Sequence, residues 1–181
     1  NGMPKNIPVN YKFYLIGKKD IYFLKFIKYL KKEKINFKYL FIDKKTKIHF
    51  LFKILKKVKF DYLISYRNPK LLTKEILNLA KQLNINFHPS PPKYRGVGGF
   101  NLAIMNSDKE YGVTAHIMSE NLDSGTIIDF SKFKISKEIK LNELINKTRN
   151  LQSIQILKLL KFLTVKNLDI KPHKNTWTEG Q

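Results

Sequence analysis

Asn84-Ile85-Asn86-Phe87-His88-Pro89-Ser90 is the stretch on which the reading of this 181-residue chain turns. Residues 84–87 read as a short strand, and the fixed ring of Pro89 turns the chain away directly after it. On an extended segment Asn86 and His88 point to the same face. An imidazole takes or gives a proton near neutral pH, and an amide can donate a hydrogen bond to a developing oxyanion. Some thirty residues on, Leu122-Asp123-Ser124-Gly125 offers a carboxylate that can orient the imidazole or shuttle protons. Together these are the parts needed to move an acyl group onto an amine, provided that Asp123 folds back beside the pair.

Working outward, the segments before this stretch alternate between strand and helix. Lys12 to Gly17 is an apolar run ending in glycine, a buried strand. Asp20 is placed to cap a helix that buries Phe23, Phe26, Ile27 and Leu30. Phe37 to Ile42 is a second strand, His49 to Lys57 a lysine-rich helix, and Tyr62 to Ser65 a third strand. Asn68-Pro69 opens a helix through Leu72, Ile76, Leu79 and Leu83, with proline in its first turn. This order predicts an α/β fold, a Rossmann-like, mostly parallel central sheet flanked by helices, with right-handed crossovers. Asn86 and His88 then fall at the carboxyl end of the fourth strand, the edge where open α/β sheets bind ligands.

After the pair comes a Pro- and Gly-rich loop, Pro89 to Gly99, and a short helix from Phe100 to Met105. Tyr111 to Met118 and Thr126 to Phe133 read as strands on either side of the Asp123 loop. Leu141 to Leu163 reads as a helix that turns Leu144, Ile145, Leu151, Ile154, Leu157 and Leu160 inward, or offers a homodimer face. The expectation is one domain over residues 1–181, with Asn1-Gly2 a remnant ahead of Met3 and residues 165–181 a tail.

Several chemistries lack their residues. The first strand-helix turn has no G-x-G-x-x-G, and no P-loop or G-x-S-x-G elbow occurs. There is no cysteine, hence no disulfide framework and no thiolate metal site. His49, His116 and His173 share no metal-ligand spacing. His116 reads as a satisfied core or supporting histidine, His49 and His173 as surface residues. No apolar run approaches the roughly 20 residues needed to span a membrane, and no leader pattern opens the chain. The expected location is cytoplasmic.

The formal charge of +21 invites a nucleic-acid reading. Of the 35 basic residues, however, only Arg67, Arg95 and Arg149 are arginines. Nucleic-acid readers lean on the planar arginine fork for bidentate contacts. The lysine excess therefore reads as solvated faces and compositional drift, some of it available to attract a phosphorylated substrate.

Four ordered blocks carry a resemblance. They are Asn86-Phe87-His88-Pro89-Ser90, Pro92-Lys93-Tyr94-Arg95-Gly96, Gly112-Val113-Thr114 and Leu122-Asp123-Ser124-Gly125-Thr126-Ile127. This string resembles the formyltransferase superfamily that uses 10-formyltetrahydrofolate. The resemblance implies that Asn86 helps bind the formyl oxygen and that His88 acts as base or charge stabiliser. It implies that Asp123 holds the imidazole and a water for proton transfer. It also implies a folate cradle at Tyr66-Arg67-Asn68 and Ser119-Glu120-Asn121-Leu122, and no metal.

Two departures bear on the acceptor. Ser90-Pro91-Pro92 is one residue shorter than the usual Ser-Leu-Leu-Pro loop, and the chain stops where methionyl-tRNA members continue into a C-terminal barrel. The short loop and Glu110-Tyr111-Gly112-Val113-Thr114 look most like the branch that formylates nucleotide-linked deoxyamino sugars, expected as dTDP sugars, for surface polysaccharides. Lys93, Tyr94 or Arg95 would then meet the pyrophosphate, with Trp177 stacking on the base or simply packing. The competing readings are formylation of methionyl-tRNA or glycinamide ribonucleotide, and a non-catalytic basic nucleic-acid module on the same fold.

Overall fold

The computed structural model describes residues 9–119 and 125–166. Six strands form one sheet in the order β2-β1-β3-β4-β5-β6. They are β1 (Asn10–Gly17), β2 (Phe37–Phe41), β3 (Lys59–Tyr66), β4 (Ala80–His88), β5 (Glu110–Ile117) and β6 (Ile127–Lys134). β1 to β4 are mutually parallel, whereas β5 and β6 run antiparallel to their neighbours. Five helices accompany them: α1 (Ile21–Lys32), α2 (Ile48–Leu55), α3 (Lys74–Leu77), α4 (Gly99–Met105) and α5 (Leu141–Val165).

The parallel strands are buried on both faces, so successive residues enter different cores. Phe13, Leu15, Tyr62, Ile64, Ile85 and Phe87 pack with Phe23, Phe26 and Leu30 of α1 and Ile156, Leu160 and Leu163 of α5. Tyr14, Ile16, Phe60 and Leu63 pack on the other face with Leu51 and Leu55 of α2 and Ile76 and Leu77 of α3. A smaller cluster of Tyr94, Ala103, Tyr111, Ile135, Ile139 and Leu144 backs the loop after β4. Asp20 caps α1 as expected, accepting from the amides of Tyr22 at 3.0 Å and Phe23 at 2.8 Å. Gly17 lies so close to β3 that a Cβ there would stand 1.8 Å from the Tyr66 carbonyl oxygen, so the strand must end in glycine.

Two expectations are corrected. The helix expected from Asn68-Pro69 to Leu83 is a single turn, α3, and β4 already begins at Ala80. Leu79 packs beneath the sheet with the α2–α3 core, while Leu83 packs on the opposite face. Their four-residue spacing therefore imitates one helical stripe, and pairing with β3 overrides it. In α5 the expected inward set holds only in part: Leu144 and Leu160 are buried and Leu157 packs against the core, but Ile154 is 49% exposed and Ile145 and Leu151 are only half-buried. Thr148, Gln152, Gln155, Ile156 and Leu163 complete the buried stripe with Leu144 and Leu160. Polar side chains occupy that stripe because they bond backbone there. The Gln152 amide donates to the Phe87 carbonyl at 3.1 Å and Gln155 to the Val113 carbonyl at 3.3 Å.

Candidate active site

Ile16, Ser65, Asn86 and His116 stand side by side across four strands. Their register puts Asn86 and His116 on one face, near the carboxyl end of β4. The His116 ring is buried, 2% exposed. Its Nδ1 lies 3.2 Å from the Ile117 carbonyl, which can only accept, so Nδ1 carries the proton. Nε2 then accepts from Asn86 Nδ2 at 3.2 Å. The contact fixes which way the Asn86 amide faces, and it engages one of that amide's two N–H groups. His116 is thus a core histidine and a support for Asn86 at once. His49 lies exposed on α2, as expected, and His173 lies outside the described residues.

His88, two residues on, is 4% exposed and its Nε2 donates to the Tyr94 carbonyl at 2.6 Å. Ser90 Oγ donates to the same carbonyl at 3.0 Å. The loop from 89 to 94 is held from the sheet side as well. Thr114 Oγ1 donates to the Ser90 carbonyl at 2.7 Å and the Tyr111 hydroxyl to the Pro89 carbonyl at 2.9 Å. The tyrosine of Pro-Lys-Tyr-Arg-Gly and the threonine of Gly-Val-Thr therefore fix the loop in which His88 is seated.

This gives Lys93 and Tyr94 a task other than the expected pyrophosphate contact. Tyr94 is 4% exposed, donates its hydroxyl to Asp108 and accepts from Asn106 Nδ2 at 3.1 Å. Burial, reinforced by the bond to Asp108, pushes its phenol pKa up. Lys93 Nζ lies 3.0 Å from the same carboxylate. Burial alone would lower its pKa, but Asp108 outweighs this and the net shift is upward. Arg95 is exposed, and Trp177 lies outside the described residues.

Asp123 lies outside the described residues too, with Glu120, Asn121 and Leu122. The two ends of its loop are placed. The Met118 amide donates to Asn84 Oδ1 at 2.8 Å, and the Ile117 amide to the Thr126 carbonyl at 2.8 Å. A Cβ on Gly125 would stand 1.5 Å from the Ile117 carbonyl oxygen, so the Leu-Asp-Ser-Gly block ends in glycine because the returning chain presses on β5. The loop thus leaves and returns within two residues of Asn86 along β4. Ser119, half-buried, follows β5 at its start.

Across the strand end, on the α1–α5 side, lies a second polar group that the sequence did not announce. Asp20 Oδ2 accepts from the Tyr66 hydroxyl at 2.6 Å and from Arg67 Nη1 at 3.0 Å. Burial would raise the Asp20 pKa, but the bonds from Tyr66, the Phe23 amide and Arg67, with the charge of Arg67, hold it below the usual value. Tyr66 is 1% exposed and its phenol pKa is pushed upward, by burial first and then by Asp20. Its side chain is therefore engaged within the protein. Arg67 holds a left-handed φ of 48°, and the Asn68 side chain closes a local turn onto the Lys70 amide at 2.8 Å. Arg149 of α5 donates to Gln152 Oε1 at 3.1 Å. Its pKa is lowered by burial, then by the like charge of Arg67. Polar residues at helical spacing inside an otherwise apolar stripe (Thr148, Gln152, Gln155) were the signal available for this side.

Among the described residues no group of three or more His, Asp or Glu could hold a metal ion, and no helix is long and apolar enough to cross a membrane.

The comparisons with known proteins converge. A profile of the formyl transferase family matches residues 28–160. Methionyl-tRNA formyltransferase of Finegoldia magna is 36% identical over 98 residues, which are 54% of this chain and 32% of that protein. HypX from Aquifex aeolicus, solved with tetrahydrofolic acid, superposes with a TM-score of 0.73 at 17% identity, over 92% of this chain and 29% of that one. An N-formyltransferase from Helicobacter canadensis, solved with folinic acid and dTDP-3-aminofucose, gives 0.71 at 20% identity, over 93% of this chain and 70% of that one. At such identities the two structures show the shared fold. The chain spans about a third of the length of the curated relatives it matches. By the extent of the family match, the chain belongs to the formyl transferase family.

Proposed function

We propose that this member of the formyl transferase family moves a formyl group from 10-formyltetrahydrofolate to the amino group of a nucleotide-linked deoxyamino sugar. The observation that carries the reading is the Asn86 amide. One of its N–H groups is fixed by His116 and the other remains to meet an oxygen at the ligand edge of the sheet. A donor amide beside an imidazole, at the strand end beside which Met118 and Thr126 are held, is a donor set that fits a formyl group. Folate supplies the formyl carbon in activated form. The protein's share is to hold it and manage charge and protons.

In this reading Asn86 Nδ2 stabilises the negative charge that develops on the formyl oxygen as the neutral amine attacks. The new C–N bond forms while the bond from the formyl carbon to folate breaks. The amine gives up one proton, and folate nitrogen receives one. His88 and Asp123 handle that transfer, Asp123 by holding the ring and a water. The backbone of Tyr66-Arg67-Asn68 and of Ser119-Glu120-Asn121-Leu122 cradles the pterin. The acceptor assignment is supported by the short, tightly bonded loop at Ser90-Pro91-Pro92 and by the Helicobacter canadensis enzyme, whose structure holds an amino sugar nucleotide. Such an enzyme works on soluble cytoplasmic substrates.

A second acceptor, methionyl-tRNA, is favoured by a different observation: relatives such as that of Finegoldia magna bear that name. The test is formyl transfer from 10-formyltetrahydrofolate to dTDP- and UDP-linked amino sugars, set beside methionyl-tRNA. Turnover is expected with an amino sugar nucleotide. Turnover with methionyl-tRNA alone would overturn the acceptor while keeping the chemistry. Turnover with none of these, in a protein that binds folate, would overturn the reading.

A further inference from the structure

We propose that Arg67 and Arg149 together form an anion site for the acceptor's diphosphate, on the α1–α5 side of the carboxyl end of β4. The inference rests on the nucleotide-linked acceptor proposed above. It starts from a count of acceptor positions. A carboxylate offers about four hydrogen-bonding lone pairs. Asp20 uses all four: the amides of Tyr22 and Phe23 on Oδ1, and the Tyr66 hydroxyl and Arg67 on Oδ2. It is saturated and has nothing left for Arg149.

Arg149, half-buried on α5, therefore has the neutral Gln152 amide as its hydrogen-bond partner, and no carboxylate pairs with it among the described residues. A guanidinium carries five N–H donors. Arg149 engages one of them and Arg67 one, through Nη1 in each case. Two positive charges thus share one carboxylate, with Tyr66 kept neutral by donating to Asp20. Removing a charged group from water without a counter-charge is costly, and a guanidinium fork suits multi-oxygen anions. A diphosphate supplies both the missing charge and the acceptor oxygens.

The place suits the acceptor. Gln152, which holds Arg149, donates its own amide to the Phe87 carbonyl, between Asn86 and His88. Anion and amine would then lie on opposite sides of one strand end, as the two ends of a nucleotide sugar would. Lysines crowd this chain, yet two of its three arginines lie at the first turn of α1: Arg67 on its cap Asp20, and Arg149 one residue before Asn150, which accepts from the Tyr22 hydroxyl at 3.2 Å.

The test measures binding by calorimetry, using inorganic pyrophosphate, thymidine diphosphate and tetrahydrofolate as separate probes. Wild type should bind the first two with strong salt dependence. Arg149→Gln and Arg67→Gln should each weaken both about tenfold, Arg149→Lys less, and neither Arg149 variant should change tetrahydrofolate affinity by a comparable factor. If Arg149→Gln fails to fold, Arg67→Gln, whose side chain is 26% exposed, decides the matter. Unchanged pyrophosphate affinity in a folded variant, or a wild type that binds neither anion, would overturn the site. Arginine-dependent pyrophosphate binding in a protein that formylates no amino sugar nucleotide would uphold the site and overturn the acceptor.

Discussion

Two clusters of charge flank the end of β4, and they differ in how completely they are neutralised. On one side Asp108 takes the ammonium of Lys93 and the hydroxyl of Tyr94, and both serve to seat the loop that holds His88. On the other, Asp20 is filled by α1, Tyr66 and Arg67, and Arg149 is left with an amide. The first cluster is complete as it stands and reads as structure. The second carries surplus positive charge and reads as half of a binding site. A basic residue near an active site is thus judged by what its nearest carboxylate already holds.

The comparison can be broken by substitution. Asp20→Asn keeps a good helix cap but removes the carboxylate that pairs with Arg67. It should cost about 1–2 kcal/mol at neutral pH, measured by urea unfolding, and should tighten pyrophosphate binding. Because the folded protein holds the Asp20 pKa low, its contribution is present above the unfolded value and lost as pH falls through the folded one. The difference between wild type and Asp20→Asn should therefore shrink below about pH 4 and close in stronger acid. A difference that does not shrink at all between pH 7 and pH 2 would assign it to packing.

On the completed side, Tyr94→Phe should cost about 1 kcal/mol of stability, since Asn106 loses its acceptor and Asp108 one of its two donors. Its effect on anion affinity should be slight. Lys93→Gln should have the smallest effect, roughly 0.5 kcal/mol, because the lysine is half exposed and its charge is screened by salt. A tenfold loss of thymidine diphosphate affinity in Lys93→Gln would reverse the roles given to the two clusters.

What could be read in the sequence was whatever depends on neighbours in the chain. The run ending at Gly17, the Asp20 cap and the shared face of Asn86 and His88 all follow from spacings of a few residues. Residues 69–83 misled because Leu79 and Leu83 have helical spacing but belong to cores on opposite faces of the sheet. The α5 stripe misled for a related reason. Gln152 and Gln155 face inward to bond carbonyls of β4 and β5, groups that the helix sequence does not show. His116 behind Asn86 and the arginine pair at Asp20 join residues from 30 to 129 positions apart, beyond the reach of any local pattern.

The central claim is that catalysis lies with the donor amide at the end of β4. The direct measurement is the rate of formyl transfer from 10-formyltetrahydrofolate to an amino sugar nucleotide, by wild type and by Asn86→Ala, with tetrahydrofolate affinity and thermal unfolding followed in parallel. Loss of one positioned oxyanion donor should lower kcat by about 10²–10³ while folate affinity and unfolding stay near those of wild type. An Asn86→Ala protein that turns over within a few-fold of wild type would contradict the account.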